Sequence, residues 1–96
     1  MEFADAVDIL KDWTKTEGLL LHGAVVSSSM AQYARHWQED ESQYKITGIL
    51  HDMDYEKYPT DENHPYKGVE YLRGIGVEEN ILQAILGHAS YTNTVR

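Results

Sequence analysis

Residues 48–56 read GILHDMDYE, and the apolar start of this stretch belongs to a helical pattern. Ile46 is followed by apolar residues at i+3 and i+4, which is the spacing of one helix face. The pattern therefore predicts a helix that reaches Leu50. Residues 53–65 are mostly polar, contain both prolines of the chain and predict an irregular segment. The His51-Asp52 pair is thus predicted to lie where a helix ends.

Helical periodicity continues outward from this stretch in both directions, and no alternating strand pattern is visible. The predicted fold class is all-α, an array of about five short helices in a single domain over residues 1–96. The predicted helices span residues 3–14, 18–37 and 44–50 (the last capped by Asp40-Glu41-Ser42), then Pro65 to about Gly74, and finally a segment that starts near Glu78-Glu79 and ends at His88.

The second predicted helix carries a broad apolar stripe that we expect to be buried. Its middle, Ser27-Ser28-Ser29, is a poor helix-forming run. The positions expected to face the core are Leu20, Ala24, Val25, Val26, Met30, Ala31, Ala34 and Trp37.

The composition argues against several classes of function. Eight Lys and Arg residues against 16 Asp and Glu give a formal net charge of −8, which argues against nucleic acid as a partner because its backbone requires a basic stripe. Since cysteine is absent, any metal must be held by nitrogen and oxygen. No apolar stretch is long enough to span a bilayer and no secretory signal is visible, so we expect a cytoplasmic protein with no membrane partner.

Four of the five histidines could converge on one cavity. His22 lies in the second helix, His51 and Asp52 end the third, His64 stands in the polar segment, and His88 ends the fifth helix. Imidazole and carboxylate bind divalent metals at cysteine-free sites. Adjacent residues on a helix diverge by about 100°, so His51 and Asp52 can reach one ion only where the helix breaks, with His22 supplied by a neighbouring helix.

The metal interpretation depends on the whole set of residues. Taken singly, a histidine at a helix end is more often a surface group that interacts with the helix dipole. His36, beside Trp37, is assigned to that surface class. The acidic residues after the His-Asp pair are interpreted as a solvated loop, and they are Asp54, Glu56, Asp61 and Glu62.

Five segments of the chain form a recognisable pattern in their order and spacing. The segments are Leu20-Leu21-His22, Gly48-Ile49-Leu50-His51-Asp52, residues 54–59 (DYEKYP), His64-Pro65 followed by Gly68, and Ala84-Ile85-Leu86-Gly87-His88. Together they resemble the HD superfamily of metal-dependent phosphohydrolases, in particular small bacterial members with a Leu-Leu-His-Asp motif followed by Asp-Tyr-Glu. The resemblance runs from about residue 18 to the end of the chain.

This resemblance implies both a metal site and a reaction. The family's first histidine and its His-Asp pair bind a divalent metal (Mn, Fe, Ni, Zn or Mg) and match His22, His51 and Asp52. Two further histidines, which bind a second metal or grip phosphate, match His64 and His88. The implied function is hydrolysis of a small phosphomonoester or nucleotide by a metal-activated water. Asp52 would bridge or orient that water, and His64 or His88 would act as acid or phosphate contact.

The sequence departs from the family pattern near its end. The family's final aspartate ligand comes well after the position of His88, whereas residues 90–94 offer no carboxylate and the chain stops at Arg96. We therefore expect the N-terminal part of an HD domain. Water or Asp54 could take the fourth metal position, or a second copy could supply the missing surface in a homodimer.

Two alternative functions stay open for a chain of this kind. The first is a non-catalytic metal- or nucleotide-binding HD module. The second is a helical oligomerisation domain with a degenerate site, suggested by the large aromatic side chains Trp13, Trp37 and Tyr71.

Overall fold

The computed structural model describes residues 1–60 and 62–87, and in this part of the chain the regular secondary structure is all helical, with no strand. The all-α prediction is confirmed. In the same residues, no helix has both the length and the apolar character that spanning a membrane requires. The helices are α1 (Phe3–Trp13), α2 (Glu17–His36), α3 (Glu41–Leu50), α4 (Tyr66–Gly74) and α5 (Glu79–Gly87).

Helix α3 is the centre of the array. It packs against α1, α2 and α5, and most extensively against α2. Its start is capped as predicted, because the Asp40 carboxylate accepts a hydrogen bond from the Gln43 amide at 3.0 Å. Its predicted apolar positions, Ile46, Ile49 and Leu50, are all buried. Burial of each such side chain contributes about 1.5–3 kcal/mol, so α3 is held mainly by its core face.

Small residues set the distance between α2 and α3. A Cβ atom added to Gly48 would lie 2.7 Å from the Cα of Ser27, so the two backbones are nearly in contact. The Ser27 hydroxyl also donates to the Lys45 carbonyl at 2.9 Å. The serine run of α2 is therefore helical despite its low propensity, because Ser27 is the size and polarity that this contact needs.

The predicted buried face of α2 is only partly correct. Ala31 and Ala34 are buried, but Val25 is 55 % exposed and Trp37 is 60 % exposed. Ala24 is exposed as well. The helix turns its small residues toward α3 because they permit close approach, and this leaves larger apolar side chains on the outer surface.

The first part of the segment after α3 is anchored to the rest of the fold by hydrogen bonds. The buried Thr14 hydroxyl donates to the Met53 carbonyl at 3.1 Å. The Glu56 carboxylate accepts from the backbone amides of Lys15 and Thr16, at 2.9 and 2.8 Å, and from the Thr16 hydroxyl. These bonds lower the pKa of Glu56, that with the Thr16 side chain most. The turn that follows the His-Asp pair is thereby tied to the α1–α2 junction.

The prediction of a solvated acidic loop is therefore wrong for two of its four residues. Asp54 is buried, with 1 % exposure, and Glu56 is hydrogen-bonded to the α1–α2 junction. Glu62 is exposed as predicted, and Asp61 lies outside the described residues.

Candidate metal centre

The helix break predicted at the His51-Asp52 pair is present. Helix α3 ends at Leu50, His51 occupies its C-terminal cap, and the chain then turns. The His51 ring is nearly buried, and its Nδ1 lies 2.6 Å from the Gly48 carbonyl oxygen. Since a carbonyl oxygen only accepts, Nδ1 carries the proton of this hydrogen bond. The Nε2 atom of His51 is then the nitrogen presented to the site.

Two histidines meet on one oxygen of Asp52. Oδ2 of Asp52 lies 3.1 Å from Nε2 of His51 and 3.2 Å from Nε2 of His22. One ligand atom from each of the three residues can be chosen so that all lie within 4.8 Å of one another. The close approach of α2 and α3 brings His22 across to the end of α3. The structure thus brings together the three residues predicted as the first metal site.

This donor set fits a divalent cation. Two imidazole nitrogens and a carboxylate are common ligands of zinc and related metals, and no thiolate is required. Because the His51 Nδ1 proton points to Gly48, the Nε2 lone pair would face the Asp52 oxygen unless a proton or a cation lies between them. A backbone carbonyl on the outer nitrogen is also the usual way in which a metal-binding imidazole is oriented.

His64 contacts the other carboxylate oxygen of Asp52. Its Nε2 atom lies 3.1 Å from Oδ1 of Asp52, whereas His22 and His51 contact Oδ2. The predicted site residue His64 is therefore in the site but outside the three-donor group. Asp52 is the residue that connects these two halves of the site.

Asp54 is in the site, but in neither of the two positions predicted for it, a solvated loop or the fourth metal ligand. Its Oδ1 atom lies 2.5 Å from Nδ1 of His64, and its Oδ2 atom accepts a hydrogen bond from the Gly68 amide at 2.8 Å. It does not belong to the three-donor group, and both of its oxygens are engaged elsewhere. The expectation that Asp54 could act as the fourth metal ligand is thus not supported. Two sequence signals pointed to Asp54, its position two residues after Asp52 and its place in the Asp-Tyr-Glu segment.

The electrostatics of His64 are dominated by these two carboxylates. Burial lowers the pKa of His64, but the hydrogen bonds to Asp52 and Asp54 and the charges of both groups outweigh it and raise the pKa to about 9. An imidazolium at this point balances part of the negative charge of the pair.

Solvent reaches the site from the His22 side. The side chains of His22 and Asp52 are 49 % and 27 % exposed, whereas those of His51 and His64 are 11 % and 10 % exposed. A small molecule can therefore approach Asp52 and His22 directly, with His51 and His64 as the inner wall.

Two histidines remain to be placed. His36 ends α2, away from the His22 end of that helix, and its ring lies edge-on to Trp37 with centroids 4.9 Å apart. Its assignment to the surface agrees with its exposure. The predicted site residue His88 lies outside the described residues.

Comparison with known protein families agrees with this geometry. The profile of the HD domain matches residues 22–94, a range that begins at the first candidate ligand and includes the His-Asp pair. The chain belongs to the HD domain family. Searches of curated proteins and of solved structures returned no significant match.

Proposed function

We propose that this protein is a divalent-metal-dependent phosphohydrolase that acts on a small phosphomonoester or nucleotide. The observation that carries the proposal is the convergence of His22, His51 and Asp52 on one point at the broken end of α3. Membership of the HD domain family supports the same reaction class. The net charge of −8 is compatible with an anionic substrate, because a bound cation can outweigh nearby carboxylates.

The three converging residues would hold the metal, which when bound supplies Lewis acidity toward a phosphoryl oxygen and toward water. Asp52 has a second task in this scheme. Its Oδ2 atom contacts His22 and His51, while Oδ1 contacts His64. Asp52 therefore fixes the distance between the metal ligands and His64.

His64 is the group proposed to contact the substrate. Its Nε2 atom lies beside Asp52 and at the inner wall of the opening. A nitrogen at this position can donate a hydrogen bond to a phosphoryl oxygen or a proton to the leaving oxygen. The predicted role of His88 stays a prediction of the same kind.

A metal-dependent activity assay tests this proposal. The purified protein is stripped with a chelator, reloaded separately with Mn²⁺, Co²⁺, Ni²⁺ and Mg²⁺, and assayed on p-nitrophenyl phosphate and a panel of nucleotides. We expect turnover that requires metal and is lost in His51→Ala and Asp52→Ala. His36→Ala is the matched control, since it removes an exposed histidine at the other end of α2, and it should keep full activity.

The same assay separates the alternatives. Hydrolysis that is unchanged in His51→Ala and Asp52→Ala would refute the proposal. Stoichiometric metal without turnover on any substrate would identify a non-catalytic binding module. A melting temperature that does not respond to the chelator, with no metal by elemental analysis, would favour an oligomerisation domain.

A further inference from the structure

Asp54 has a buried carboxylate whose two oxygens contact two different parts of the site. Its Oδ2 atom accepts from the Gly68 amide at 2.8 Å, and this amide is in the first turn of α4, where backbone donors have no partner within the helix. Its Oδ1 atom lies 2.5 Å from Nδ1 of His64. The carboxylate thus joins the start of α4 to the inner wall of the site.

The side chain of Asp54 is closely surrounded by α4 and by Met53. A Cβ added to Gly68 would lie 3.3 Å from Cγ and from Oδ2 of Asp54, and 3.1 Å from Cγ of Met53. The side chain of Asp54 is therefore in close contact with the α4 backbone and is buried, with 1 % exposure. Taking a carboxylate out of water is costly unless its oxygens are hydrogen-bonded, so both bonds are required by its burial.

A helix-capping role explains only half of this arrangement. Satisfying the Gly68 amide requires one oxygen, and asparagine would provide it equally well. The second oxygen, on Nδ1 of His64, is not needed for a cap. It does what a carboxylate does behind a functional imidazole, which is to hold the proton on the outer nitrogen and so orient the inner nitrogen.

We propose that Asp54 is the positioning residue of this site, which holds the His64 ring through Nδ1 so that Nε2 is presented beside Asp52. The inference rests on the proposed function of the site, because it assigns the task of Nε2 to substrate contact. Asp54 acts through His64 and touches neither the substrate nor the three-donor group.

The variant Asp54→Asn separates positioning from capping. If the asparagine oxygen keeps the Gly68 amide, the asparagine NH₂ group must face Nδ1 of His64. Nδ1 then has to accept, so the ring gives up its Nδ1 proton and carries a proton on Nε2 only. The fold and the α4 cap are retained, while the His64 ring loses the charged acceptor that holds its Nδ1 proton. A comparable substitution behind a catalytic histidine in serine proteases leaves geometry intact and produces the wrong tautomer.

Nuclear magnetic resonance can detect this change in the protonation of the His64 ring without measuring enzyme activity. We would record long-range ¹H–¹⁵N spectra of ¹⁵N-histidine-labelled protein loaded with Zn²⁺, and assign His64 from the spectrum of His64→Gln. The wild type should show a hydrogen-bonded proton on Nδ1 of His64, and Asp54→Asn should show Nδ1 without a proton. An unprotonated Nδ1 in the wild type, or the same proton position in both proteins, would overturn the proposal. The wild-type result alone is informative even if the variant does not fold.

A double-mutant cycle gives the functional readout. Mutating a residue that holds a functional histidine from behind typically lowers activity about ten- to a hundred-fold. We therefore expect kcat/KM to fall by about this factor in Asp54→Asn. The substitution should cost nothing further in a His64→Gln background, because its effect passes through that ring. An equal loss in both backgrounds would contradict the inference. If no variant and no metal yields hydrolysis, the proposed function fails, while the spectra still decide the role of Asp54.

Discussion

Gly48 of α3 lies against Ser27 of α2 so closely that a Cβ at position 48 would be 2.7 Å from the Ser27 Cα and 2.9 Å from its nitrogen. His22 precedes this contact on α2, and Asp52 follows it in the turn just after the cap of α3. The two helices run in opposite directions past the contact, since His22 meets Asp52 on one side of it. The small residues at positions 27 and 48 thus control how near the ligands of the two helices come.

Gly48→Ala should destabilise the protein. In an unpacked helix this change would stabilise by about 1 kcal/mol through helix propensity. Here the added methyl group meets backbone atoms, which cannot rotate away, and overpacking of this kind costs about 1–3 kcal/mol. We expect a lower free energy of unfolding in urea denaturation and weaker metal binding, because the two helices must separate.

Gly18→Ala is the matched control for this prediction. Gly18 is on α2, and a Cβ added there meets nothing within 4 Å. This variant should be as stable as the wild type or more stable. If Gly48→Ala behaved in the same way as Gly18→Ala, the close contact would not be the constraint described above.

Loss of any one of the three converging side chains should weaken metal binding. Even outer partners of metal ligands are worth about ten- to a hundred-fold in affinity, so we expect at least a hundred-fold increase in the Zn²⁺ dissociation constant for His22→Ala, measured by calorimetric competition with a chelator. Because His22 is half-exposed, this variant should retain its fold, which circular dichroism would check. His36→Ala should bind Zn²⁺ like the wild type, and equal affinities in all three proteins would contradict the site.

The Glu56 bonds predict a pH dependence of stability. Hydrogen bonds from Thr16 and Lys15 hold the pKa of Glu56 below its ordinary value of 4.5. A carboxylate with a lowered pKa in the folded state stabilises it above the unfolded pKa, and this contribution is lost as the pH falls through the folded pKa. The free energy of unfolding should therefore drop as the pH is lowered below about 4.5.

Glu56→Gln tests this dependence because it keeps the length of the side chain and removes the charge. Its unfolding free energy should decrease less steeply with acid than that of the wild type. Glu62→Gln, which changes an exposed residue of the same polar segment, is the control and should follow the wild-type curve. Identical acid profiles for the wild type and Glu56→Gln would show that the tether to the α1–α2 junction does not contribute.

The helices were predictable because each has a signal in its own stretch of sequence. The periodicity around Ile46 and Leu50, the Asp40 cap and the change of pattern at the His-Asp pair each indicate one element, and all are confirmed. The exposure of the Val25 side chain was not predictable in this way. It follows from small residues on the opposite face of α2, whose importance appears only once α3 is packed against them.

The candidate site was predictable to a smaller extent. The convergence of His22, His51 and Asp52 was predicted from the family resemblance, with the requirements that α3 break at the pair and that a neighbouring helix supply His22. The burial of Asp54 depends on Gly68, 14 residues further along the chain, and no local pattern reveals that partner. The homodimer and the substrate class stay predictions that await solution measurements.

X-ray absorption spectroscopy of the protein loaded with one equivalent of Zn²⁺ tests the central claim most directly. A site made of His22, His51 and Asp52 predicts a zinc shell of nitrogen and oxygen at about 2.0–2.2 Å, with the outer-shell scattering of two imidazoles. That imidazole signal should fall in His51→Ala and stay unchanged in His36→Ala. A zinc shell without imidazole scattering, or one that is identical in His51→Ala, would contradict the assignment of this site.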